Sequence, residues 1–321
     1  MRLTQYKDFG YYYILSKLRE KVVLGENARN FFLKHSDYGD SQMCSVSVIN
    51  KLLCDLIISE KPFMVGRLGG TELSALKIFD FGLSDKYEKC LEQMQTWSGF
   101  FPKTLEAGNA FKELMIDVIP EADILGVWGQ PFEDYYMSRF GSEQLKSVYL
   151  PDLEPWSYPE NPWSAALKNK KVLIIHPFAD TLKKQYAKRE KIYPGTEILP
   201  QFDLDVLKAV QTVAGEKDDR FQNWFEALDW MYDEALKRDF SIAIIGCGAY
   251  GFPLAAKLKR VGKQAVHLGG ATQLFFGIKG RRWETESSYK YVQRFFNDFW
   301  VYPDYNEKPK RASEVENGCY W

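Results

Sequence analysis

Gly246, Gly248 and Gly251 follow the apolar run 241–245 and precede Pro253, so GCGAYG carries the G-x-G-x-x-G spacing between a strand and a helix start. Glycines there let backbone N–H groups approach a phosphate, and the helix N-terminus adds a favourable dipole. Tyr250 lies within the same loop. A second group stands in KPFMVGRLGGTELSAL, with Arg67 at the end of a short apolar run, Gly69 and Gly70 in a turn, and Glu72 just beyond. An arginine at such a place suits a phosphate or carboxylate held bidentately. Glu72 suits a general base or a metal ligand; equally, it could complement the helix dipole and pair with Arg67. Of three histidines, His35, His176 and His267, the last two close strand-like runs, and His267 runs on into Gly269 and Gly270. KGRRW sets Lys279, Arg281 and Arg282 beside Trp283, cations able to neutralise a diphosphate or simply to face water.

These residues need a scaffold that brings strand ends together. Runs at 63–65, 123–128, 148–150, 171–177, 241–245 and 264–268 are short, apolar and strand-like. Apolar stripes at helical spacing cover 4–34, 45–59, 85–95, 103–118, 181–190, 219–238 and 253–261, with Val48, Leu52, Leu53, Ile57, Leu236 and Val261 among the inward positions. Gly262 ends the last of these. Alternating strands and helices predict an α/β fold, a Rossmann-like and mostly parallel sheet flanked by helices, with a helical extension over 1–60. If the strands run parallel, Arg67, His176 and the glycine loop share one sheet edge, where such sheets bind ligands. The segment 61–300 reads as the main Rossmann-like domain, the proline- and tryptophan-rich 151–164 is the candidate for an internal boundary, and 301–321 reads as a polar tail with little fixed structure. FDLDVL offers Asp203 and Asp205 as a DxD pair, but they open an apparent helix, where acids are expected anyway. Trp97, Phe100 and Trp283 are candidates to stack on a sugar or base.

Composition narrows the function. With 42 basic and 43 acidic residues there is no global field to draw nucleic acid. Five scattered cysteines show no CxxC pair, which fits a reducing, cytoplasmic compartment and gives no metal signature. No window reaches the roughly 18 apolar residues a bilayer span needs, and the first residues lack a signal peptide's uninterrupted apolar core. Peripheral membrane association and self-association remain open. The glycine loop alone would suggest NAD, but the strand after it ends in His267, Leu268 and glycines rather than an acid for the ribose hydroxyls. A nucleotide with one ribose and a diphosphate fits better.

The order of these motifs resembles the GT-D-type bacterial glycosyltransferases. GRLGGTEL is similar to that family's R-x-G-D-G-E segment, with Arg67, Gly69 and Glu72 in register, and IIGCGAYGFPLAAKLKRVGKQAVHLGG is similar to its C-terminal strand–loop–helix–strand. The resemblance implies a Rossmann-like domain that moves a sugar from a nucleotide-sugar donor, expected to be a UDP-sugar, to a glycan or glycoconjugate acceptor in surface polysaccharide or glycoprotein assembly. Taken with the residue readings above, it makes Arg67, Glu72 and His176 the catalytic candidates, and sets Gly69, Gly70, Gly246, Gly248, Tyr250, Gly251, His267, Gly269, Gly270, Lys279, Arg281 and Arg282 around the donor. Gly70 departs from the family, standing where its aspartate helps to hold a divalent ion such as Mn2+. Glu72 is then the one metal ligand left, and Arg67 with the KGRRW cations becomes the expected counter-charge. A sugar-modifying NAD(P) enzyme and a non-catalytic nucleotide- or glycan-binding protein are the alternatives.

Overall fold

The computed structural model describes residues 8–14 and 38–321. Its centre is one sheet of eight strands: β1 (Gln42–Cys44), β2 (Phe63–Gly66), β3 (Ile124–Val127), β4 (Lys146–Tyr149), β5 (Lys171–His176), β6 (Asp203–Lys208), β7 (Ile242–Ile245) and β8 (Gln264–His267). The spatial order is β1-β4-β3-β2-β8-β7-β5-β6, and all neighbouring strands pair in parallel. Five central strands are nearly continuous apolar runs, as they must be when both faces are covered. The fold is α/β and Rossmann-like.

Alternation along each strand feeds two cores. Met64, Leu125, Leu173, Ile175, Ala243 and Ile245 face one layer, made by α2 (Gly70–Asp80), α3 (Tyr87–Ser98), α4 (Leu105–Val118), α5 (Glu133–Phe140), α7 (Trp224–Leu236) and α8 (Gly251–Arg260). Phe63, Val65, Ile124, Val172, Ile174, Ile244 and Val266 face the other, which includes α1 (Val46–Ser59) and α6 (Ala179–Tyr186). The chain passes from β2 to β3 on one side, and β8 lies against β2 on the other. The segments leaving β2 and β8 then enter opposite layers, since α2 packs in the first core and the helix Ala271–Phe275 in the second. This divergence opens a crevice over their C-terminal ends.

Several expectations are corrected. Of the helix expected over 4–34, residues 8–14 are helical; the remainder, with His35, lies outside the described residues. The region 1–60 also supplies β1 to the main sheet. The sheet takes strands from both sides of 151–164, and within that segment Trp156 and Trp163 are fully buried in 3-10 turns. Ile49, not Val48, faces inward on α1, and Leu236 and Val261 are exposed. Asp203 and Asp205 lie in edge strand β6 rather than at a helix start, and Asp205 accepts two hydrogen bonds from Arg238 Nη1, at 2.8 and 2.7 Å. Charge pairing explains Asp205, and both acids sit away from the crevice end of the sheet.

Residues 301–321 are also not a loose tail. Glu307 accepts the backbone N–H groups of Asp180 and Thr181 at 2.7 and 3.2 Å, capping α6, and Ala312, Val315 and Cys319 are buried. Gln273 donates to the Tyr320 carbonyl at 3.1 Å. Polar composition concealed a segment held by specific caps rather than by an apolar stripe.

Candidate functional site

The crevice is a cleft of about 540 Å³ at the C-terminal edge of β2, β3, β7 and β8. Its lining includes Arg67, Gly69, Gly70, Glu72, Gly248, His267, Gly269, Gly270 and Arg282 from the sequence reading, together with Trp97. Parallel strands place their C-terminal ends side by side, so loops more than a hundred residues apart in sequence meet here.

Arg67 is the dominant charge. Its guanidinium lies 4.8 Å from the Trp128 ring centroid, its Nε is buried, and it has neither hydrogen-bond partner nor ion pair among the described residues. An unpaired, half-buried guanidinium costs stability, which argues that it is kept for an anion. Gly269 at φ +61° stays side-chain-free beside it; a Cβ there would stand 3.1 Å from Arg67 Nη1. Gly248, at φ +59°, has open space where a side chain would go, so its backbone faces the cleft.

The other cations are committed elsewhere. Arg282 pairs with Glu316 and, at 3.9 Å, with Glu286. Lys279 is outside the cleft, paired with Glu284 at 3.1 Å, and exposed Arg281 donates to the Asn317 carbonyl at 2.9 Å. The expectation that KGRRW supplies three counter-charges therefore reduces to one paired arginine. Glu72 accepts from Ser98 Oγ at 2.9 Å and folds over Gly69, whose added Cβ would lie 1.7 Å from Glu72 Oε2. Among the cleft-lining carboxylates it is the one not paired to a cation, since Glu286 and Glu316 both face Arg282.

Glu72 does not sit in a metal site of the protein's own making. No group of three or more His, Cys, Asp or Glu among the described residues could hold an ion. Gly70 brings no carboxylate, and the space a Cβ would take there is met by Gln130 Oε1 at 2.9 Å, an amide rather than an acid. The donor set fits an anion, not a divalent cation.

His176 and His267 are buried and neutral. His267 Nδ1 lies 3.3 Å from the Ile245 carbonyl, which can only accept, so Nδ1 carries the proton and Nε2 is an acceptor. Burial, with the Arg67 charge adding to it, brings its pKa down to about 3. His176 Nδ1 accepts from the Phe178 N–H at 3.0 Å, which leaves its proton on Nε2, and burial brings this ring to about 3 as well. His176 is not in the main cleft. With Gly246 and Tyr250 it lines an adjoining chamber of about 90 Å³. Tyr250 is core, stacked on Trp224 at 4.6 Å and 8°, and Phe100 and Trp283 are buried too.

Gly251 is needed for space, since a Cβ there would come within 2.2 Å of two His267 ring atoms. Gly251→Ala is expected to lower stability by about 3 kcal/mol, at the upper end of overpacking costs. Adding His267→Ala should recover much of that loss in urea unfolding, because the second change removes the colliding ring. A single variant as stable as the parent would show that the ring has room to move.

Trp128, Gln130, Ser98, Tyr289, Glu316 and Tyr320 also line the cleft, and the motifs had not singled them out. Trp128 and Gln130 follow the 123–128 strand, so the edge rule alone pointed to them; Tyr320 had no signal. Glu133 holds their loop, its Oε2 accepting the N–H groups of Trp128, Gly129 and Gln130 at 3.2, 2.8 and 3.2 Å. Its Oε1 has no partner among the described residues, and burial pushes the carboxyl up to about 7. Glu154, which accepts from Tyr291 Oη at 2.6 Å, is also raised by burial to about 7.

These groups oppose one another with pH. The depressed histidines stabilise the fold above their unfolded value of 6.5 and lose that contribution as pH falls toward about 3. The raised glutamates stabilise it below 4.5 and lose that contribution as pH rises through about 7. Between about pH 4.5 and 6.5 the slopes offset each other. Glu133→Gln removes one of the falling terms, so its urea midpoint should rise as pH rises from about 4.5 to 6.5 while the parent's stays level. Parallel profiles would mean that Glu133 is not held neutral.

Comparison with protein-family models, characterised proteins and solved structures finds no match.

Proposed function

We propose that this protein is a glycosyltransferase that takes a sugar from a nucleoside-diphosphate donor, UDP-sugar being the expected class, and passes it to a glycan or glycoconjugate acceptor. The observation that carries the reading is the unpaired Arg67 guanidinium, stacked on Trp128 in a cleft walled by the backbone of Gly69, Gly248, Gly269 and Gly270. Such a combination suits a diphosphate, whose charge grows as it leaves the sugar. His267 Nε2 is placed to accept from a hydroxyl, and Trp97, 40% exposed on the cleft wall, offers a face for a sugar or base. Glu72 is the candidate base. His176, neutral and set in the side chamber, is not. The leaving-group charge is met by Arg67 instead of by a protein-held metal.

The missing acid after β8 weighs against NAD, because His267 stands at the strand end and its ring covers Gly251. A thermal-shift screen against UDP, GDP, CMP, UDP-sugars and NADH, with and without manganese, tests the proposal. A rise of about 3 °C or more with one nucleoside diphosphate is expected, because a ligand bound to the folded state alone stabilises it. A shift with NADH alone, or with no nucleotide, would overturn the reading.

A further inference from the structure

The main cleft does not end at the glycine loops. Its lining shares Trp97, Ser98, Gly248, Gly270, Val315 and Tyr320 with the 90 Å³ chamber, so the two adjoin. The chamber in turn shares Pro177 and Gln211 with a groove of about 230 Å³ at the ends of β5 and β6. Together they make one track across the C-terminal edge of the sheet, from Arg67 to Lys208.

The chamber carries an unused donor: His176 Nε2, which bears the ring proton, makes no hydrogen bond among the described residues, and Trp321 adds an aromatic wall. Phe178, Val210 and Cys247 supply apolar wall. A donor N–H beside aromatic and aliphatic surface suits the oxygens and flat face of a sugar ring.

The groove beyond it is basic. Lys208, Lys308 and Lys310 are exposed along its lining, and none has an ion pair among the described residues. The two acids there are engaged by backbone: Glu307 caps α6, and Glu216 accepts the Lys310 N–H at 2.9 Å. Buried Glu307 and Pro309 anchor the segment that presents two of the lysines, so the three ammonium groups come from a fixed wall.

We propose that this track is the acceptor site, and that the Lys208–Lys308–Lys310 groove anchors an anionic substituent of an acidic glycan whose next sugar occupies the chamber. The proposal rests on the transferase reading for the word acceptor, but the anion site itself does not. Neutral His176 keeps its donor at any working pH, so recognition of the chamber sugar does not depend on a titrating histidine.

The test is binding of a galacturonic-acid hexamer and of neutral maltohexaose, followed by tryptophan fluorescence at low salt. The parent is expected to bind the acidic hexamer at least about tenfold more tightly, with an affinity that falls as salt screens the lysines. The charge-reversed triple variant Lys208→Glu, Lys308→Glu, Lys310→Glu should lose that preference while keeping its melting temperature and its shift with UDP. Equal binding of the two hexamers by the parent, or an acidic preference that survives reversal, overturns the proposal. So does binding to anionic phosphatidylglycerol vesicles that is lost on reversal without any preference between the hexamers. A parent that prefers the acidic hexamer through these lysines but never binds a nucleotide keeps the anion site and removes only the donor reading.

Discussion

Arg67→Ala is expected to abolish the nucleotide-induced rise in melting temperature and to weaken nucleoside-diphosphate binding by about 100-fold, near 3 kcal/mol for a desolvated charge pair. The variant should nonetheless fold as well as the parent. Among the described residues Arg67 has no hydrogen-bond or ion-pair partner to lose, and removing a buried, unsatisfied Nε offsets the loss of the Trp128 contact. Arg67→Lys should recover little, because a lysine keeps the charge but neither the fork nor the flat face that lies 4.8 Å from the Trp128 centroid. Arg281→Ala is the control, since Arg281 is exposed and engaged with the Asn317 carbonyl outside the cleft. Titration calorimetry with UDP on the three variants checks the result. Unchanged affinity in Arg67→Ala would remove the observation on which the proposed function stands.

Glu72→Gln separates chemistry from binding. On the proposed reading, the acceptor hydroxyl's proton passes to Glu72 as its oxygen bonds to the anomeric carbon and the bond to the diphosphate breaks. The glutamine keeps an oxygen for the 2.9 Å bond from Ser98 and keeps the shape that folds over Gly69, so α2 should start as before. It cannot take the proton. Transfer is expected to fall by about 100-fold or more, within the range that a general base contributes. The thermal shift with nucleotide should stay within about 1 °C of the parent's, because the ligand's mass-action term is unchanged. Full transfer activity in the variant would leave Glu72 as a charge that complements the α2 dipole, which is the other reading the sequence offers.

How much of this was legible beforehand differs by feature. β5, β7, β8 and the glycine loop were plain, because a parallel strand buried on both faces must be apolar throughout and because Pro253 and Gly262 bracket a short helix. β6 was misread, since an edge strand half open to water carries Asp203 and Asp205, and those acids mimic a helix start. That Arg67, His176 and the glycine loop share one sheet edge followed from the edge rule once the strands were taken as parallel.

The order of the strands was not legible, and with it the identity of the site's remaining walls. Adjacency of β2 to β8 depends on long-range pairing, which leaves no trace in local periodicity. The same holds for Lys279 and Arg281. Sequence shows three cations beside a tryptophan, while the partners that neutralise or remove them, Glu284 and the Asn317 carbonyl, are chosen by how the last turns pack. By itself the sequence determined the α/β class, the glycine loops and Arg67 at a strand end, because these follow from local backbone and burial rules. Only the tertiary structure decided which charges are left unpaired, since pairing depends on distance in space and each side chain's reach is set by elements far away in the chain.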